Sequence, residues 1–88
     1  MNGNTRTSFD SLMVWIKEKG LRIKKLPIRS TERSIWKISR GGLSEGTLVK
    51  INTKSGTRYE WVVIDKKGTS IQGKSLTKFK GALQTLLL

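Results

Sequence analysis

Apolar positions along the chain change period from helical to alternating and back to helical. Phe9, Leu12, Met13 and Ile16 recur at helical spacing, with Lys17, Glu18 and Lys19 on the other side. Thr7 or Ser8 can cap this run, Asp10 follows Thr7 near the capping-box spacing, and Gly20 can end it. The pattern predicts a helix over 8–19. In LRIKKLPI (21–28) Leu21 and Ile23 alternate with Arg22 and Lys24, as in a strand. Pro27 lacks a backbone donor, so this strand lies at an edge or stops there. SIWKIS (34–39) is rich in β-formers, and RGGLSEG (40–46) has the composition of a loop. TLVKINT alternates Val49 and Ile51 against Leu48, Lys50 and Asn52. RYEWVVID is the strongest strand pattern, and TSIQGK is a short polar one. KSG (54–56) and KKG (66–68) separate these three as tight turns, each with a glycine where positive φ is needed. In SLTKFKGALQTLLL the helical period returns: Leu76, Phe79, Leu83, Leu86 and Leu87 share one face behind Ser75 as cap. Gly81 costs that helix about 1 kcal/mol relative to alanine, and is expected to allow close helix–sheet approach. The order predicts an α+β fold, with an N-terminal helix, an antiparallel sheet of about five strands and a C-terminal amphipathic helix packed on it.

The 88 residues suffice for one domain, with the polar stretch 1–7 expected to fray. A chain of this size buries only about two thirds of its unfolded surface, so few large apolar residues are spare for a deep pocket. Cysteine and histidine are both absent. That excludes disulfides, Cys/His zinc sites and catalysis by either side chain, and it fits a cytoplasmic setting. The polar start lacks a signal-peptide core, and no apolar run approaches the roughly 20 residues of a membrane span.

Charge changes the picture most. Eighteen Lys and Arg face six Asp and Glu, for a net +12. The excess runs through the chain: nine basic residues against Glu18 and Glu32 within 17–40, and eight against Glu45, Glu60 and Asp65 within 41–88. Self-repulsion at this density costs stability, and a polyanionic partner relieves it. Nucleic acid is the commonest such partner. The six acids are scattered, with no acid–base pair and no phosphate-cradling loop, so the expectation is a non-enzymatic binder without cofactor or metal.

The unit KSG, RYEWVVID, KKG and GKSLTKFKGALQTLL resembles the three-stranded DNA-binding domains at the N-termini of tyrosine recombinases and the related AP2-type domains. That resemblance covers 47–87. It implies a sheet face laid in the DNA major groove with the helix on the opposite face. By position, the groove face would carry Lys50, Arg58, Glu60, Ser70, Gln72 and Lys74. Val62 and Ile64 share that face where the family pattern has polar groups, and the first half of the chain has no counterpart. KKGTSI followed by a leucine-rich helix also resembles the end of PC4-like single-strand-binding coactivators, which implies single-stranded DNA instead.

The candidate contacts follow. Arg22, Lys24 and Lys25 on one strand, with Arg29 and Arg33 in the next loop, would form a phosphate-binding stripe. Trp36 sits amid Arg33, Lys37 and Arg40, and either stacks on bases or joins the core. Tyr59 and Trp61 pose the same choice, with Val63 on their face of the strand. Arg58 and Gln72 are eligible to read bases, and the resemblance adds Lys50 and Lys74 to the same groove face. Trp15, beside the apolar stripe of its helix, could serve a homodimer contact. DNA is expected over RNA. The alternative is an inhibitor or adaptor of a phage or mobile element that covers an acidic surface on a partner protein. Membrane binding is disfavoured, because the helices are short and their polar faces are not strongly basic.

Overall fold

Ser8 opens the first element as a side-chain cap. Its hydroxyl accepts from the Ser11 N–H, and the Ser11 hydroxyl accepts from the Ser8 N–H, both at 3.1 Å. The capping box is therefore Ser8 with Ser11, not Thr7 with Asp10. Helix α1 runs Phe9–Glu18 and buries Leu12 and Ile16. It stops at Gly20, whose φ of 76° a side chain would resist. The computed structural model describes residues 7–41 and 44–88. The frayed start expected over 1–7 thus lies mostly outside the described residues, as do two residues of the loop expected over 40–46.

Five strands follow: β1 Arg22–Lys25, β2 Arg33–Ser39, β3 Glu45–Thr53, β4 Gly56–Ile64 and β5 Ser70–Gly73. They form one antiparallel sheet in the order β1-β2-β3-β4-β5. β1 ends two residues before Pro27 and is an edge strand. Arg33 belongs to β2 rather than to the preceding loop, and Glu45 and Gly46 belong to β3. Each tight turn has a local cause. Gly56, with φ 132°, closes the two-residue turn between β3 and β4. In the next turn the Asp65 carboxylate accepts from the N–H groups of Lys67 and Thr69 at 2.8 and 2.9 Å, with Gly68 at φ 88°. Helix α2, Leu76–Leu86, starts under the Ser75 cap. The expected α+β architecture is the one observed.

Both helices pack on one face of the sheet. Residues opposite each other in an antiparallel pair share a face, so the register assigns every strand position. The helix-covered face carries Ile38, Leu48, Trp61 and Val63, all buried, against Leu12, Ile16, Phe79 and Leu83. Trp61 is 5% exposed, and its indole N–H donates to the Ser75 carbonyl at 2.9 Å. Close approach falls on two strand glycines. A Cβ on Gly73 would sit 2.8 Å from Trp61 Cζ2, and one on Gly46 would sit 3.0 Å from Leu83 Cδ2. Gly81 plays no such part: nothing lies within 4 Å of a Cβ built there, because it faces away from the sheet.

Candidate nucleic-acid interface

The opposite face of the sheet carries neither helix, and the pairing resolves it into four rows across the strands, with the pair Thr53–Gly56 beyond them. The first holds Arg22, Ser39, Glu45, Ile64 and Ser70. The second holds Lys24, Lys37, Thr47, Val62 and Gln72. Ile35, Val49 and Glu60 form the third, and Arg33, Ile51 and Arg58 the fourth. Basic side chains thus stand along the β1–β2 side and at the far end, around an apolar middle. Ile64 is 43% exposed there. Ile51 is buried between Arg33 and Arg58, whose aliphatic stems can lie over it. Lys37 pairs with Glu45, one of the two carboxylates on this face.

This register divides the expected contacts between two faces. Arg22, Lys24, Arg33, Lys37, Arg58 and Gln72 share the open face. Lys50 does not: it stands opposite Tyr59 on the helix-covered face, with its ammonium 5.3 Å from the centre of the Phe9 ring. The recombinase-like pattern expects Lys50 on the groove face; the observed register is one residue out of that phase, and a shift of one reverses the face. The expected stripe on β1 also splits, because Lys25 pairs with Trp36 and holds its ammonium 5.7 Å from that ring's centre. Arg29 lies in the exposed loop between β1 and β2. Arg40 reaches across to α2, donating to the Leu87 carbonyl at 3.2 Å, where a cation also favours the helix C-terminus. Lys74, just past β5, lines a hollow of about 340 Å³ with Glu60, Trp61, Gln72 and Gly73.

The aromatics of the helix-covered face form a cluster that the sequence pattern did not reveal. Phe9 of α1 lies 4.9 Å from Trp36 and 5.9 Å from Tyr59, stacked on the latter at 12°. By spacing Phe9 belongs to the helix stripe, and no sequence signal links it to residues 27 and 50 positions away. Trp36 and Tyr59 are half-buried beneath it. Burial, followed by the nearby Asp10 carboxylate, raises the Tyr59 phenol above its ordinary value. Trp61 is core, packed 5.2 Å from Phe79. Trp15 is half-buried, with Lys80 Nζ 5.3 Å from its ring centre.

Among the described residues no group of three or more Asp and Glu could hold a metal ion, and no helix is long and apolar enough to cross a membrane. No family model matches the chain, nor does any curated protein or solved structure.

Proposed function

We propose that this protein is a small non-enzymatic nucleic-acid-binding module, DNA before RNA, which engages phosphates through the helix-free face of its sheet. One observation carries the reading. Both helices pack on one face, leaving Arg22, Lys24, Arg33, Lys37 and Arg58 together on the other, in a chain of net +12. Affinity on such a surface comes from neutralising phosphates and releasing counterions. The half-buried Trp36 and Tyr59 lie on the opposite face, under Phe9, so base stacking is not the primary mode. Fluorescence anisotropy with labelled duplex DNA, single-stranded DNA and RNA tests the reading. With about six phosphate contacts, binding weakens roughly a thousandfold between 50 and 200 mM salt. A loss below tenfold, or no binding at low salt, overturns it.

The apolar stretch of the same face, running from Ile35, Val49 and Val62 to Ile64 in the end row, favours a second reading. An apolar centre inside a charged rim suits a protein partner, here one with an acidic surface. That partner would bind tightly where nucleic acid does not.

A further inference from the structure

We propose that the end of the β3–β4 hairpin, residues 52–58, is the segment that enters the major groove of duplex DNA, with Lys54 at its tip; this rests on the nucleic-acid reading above. Five strands spaced about 4.8 Å apart span about 19 Å between outer strands. The B-DNA major groove is about 12 Å wide and admits a helix or a two-stranded ribbon. The sheet as a whole lies across such a groove, and only a narrower part of it enters.

The sheet narrows to two strands at one end. β5 pairs with β4 only over Trp61–Ile64, and the last β2–β3 pair is Arg33 with Ile51. The Glu32 carbonyl then accepts from the Asn52 N–H at 2.7 Å. Past that bond only the pairs Asn52–Thr57 and Thr53–Gly56 and the turn continue. At about 3.4 Å per residue this projection is about 10 Å long, against a groove depth of about 8.5 Å. At the other end of β4 all five strands lie in one row, Arg22 to Ser70, and among the described residues no two-stranded ribbon extends past it.

The chemistry of the projection fits an anionic groove. No acidic residue occurs from Gly46 to Tyr59, and every residue of 52–58 is exposed; the acidic neighbour is Glu32, which lines a hollow with Asn52, Thr53 and Lys54. Lys54 stands in the turn, Arg58 at the base, and Arg33 beside it as a phosphate contact. The Thr57 hydroxyl donates to Asn52 Oδ1 at 3.0 Å, and the Thr53 hydroxyl to the Gly56 carbonyl at 2.9 Å. These bonds hold the ribbon in shape before binding, which lowers the entropy lost on docking.

The test compares Lys54→Ala with Lys66→Ala. Each removes one positive charge from an exposed turn, at opposite ends of β4. Anisotropy titrations at 100 mM salt use duplex and single-stranded DNA of equal length, with dimethyl sulfate footprinting of guanine N7 on the duplex. Lys54→Ala is expected to weaken duplex binding about tenfold or more, the size of a lost groove contact, and Lys66→Ala less than about threefold. The wild-type chain is expected to protect N7. Equal losses for the two variants, unprotected N7, or tighter binding to single strands each overturn the hairpin assignment while the broader reading stands. A wild-type chain that binds no nucleic acid at low salt removes both.

Discussion

Tyr59 is the single tyrosine of the chain, so phenol absorbance reports on it alone. Its ring lies under Phe9 on the helix-covered face, where desolvation raises its pKa, with a smaller push from Asp10. The folded state therefore holds the phenolic proton more tightly than the unfolded chain does. The resulting stability is fully present below the unfolded value near 10 and is lost as pH rises through the folded value. A spectrophotometric titration of the native protein is expected to give a midpoint above 10.0, returning to the ordinary tyrosine range in denaturant. A native midpoint at or below the denatured one would mean that the ring is solvated and free to stack on a base. The sequence showed that Tyr59, Trp61 and Val63 share a face. It could not show that Phe9, fifty positions earlier, would cover the first of them.

At the scale of elements, three glycines separate what local pattern reveals from what packing decides. Gly81 lies inside α2 with open space where a Cβ would be, so it costs helix propensity and serves no contact. Gly81→Ala is expected to stabilise by about 1 kcal/mol in denaturant unfolding. Gly73→Ala is expected to do the reverse by about 1–3 kcal/mol, because its Cβ meets the indole of Trp61 at 2.8 Å and overpacks the strand against the core. A stabilising Gly73→Ala would show that the indole moves aside freely. The sequence pattern places the close helix–sheet approach at Gly81; the structure places it at Gly46, against Leu83 and Phe79 of α2, while Gly73 makes room for the Trp61 indole of the neighbouring strand. Helical period finds the apolar stripe of α2, but which backbone it touches depends on how the helix lies across β4 and β5.

For the whole molecule, charge and layering act together. A net +12 on one small domain opposes the compact state, and added salt screens that repulsion. Screening that recovers about 1 kcal/mol raises Tm by about 4–8 °C in a domain of this size. Thermal unfolding in 20 mM and 500 mM sodium chloride is expected to show such a rise. An unchanged Tm would mean that the charges are already spaced widely enough to cost nothing, and would weaken the case that a polyanion completes the protein. Most of the architecture was legible because its signals are local. Alternation within RYEWVVID, two glycine turns and an amphipathic C-terminal run each depend on residues a few positions apart. The candidate surface was only half legible. Arg22, Lys24 and Arg58 alternate visibly along their strands, yet whether a face meets solvent or a helix is not written in any one strand.

The sequence by itself determined the order of elements, both helix caps to within a residue, the turns and the basic balance, because short-range sterics and hydrogen bonds govern these. Tertiary structure alone decided that both helices cover the same face and that Lys25 and Lys50 turn towards aromatic rings. It also decided that Arg40 is drawn to α2, and that the sheet narrows to a two-stranded end at Lys54. Each of these follows from register and layer packing, where a shift of one residue reverses a face and where the deciding contacts join residues far apart in the chain.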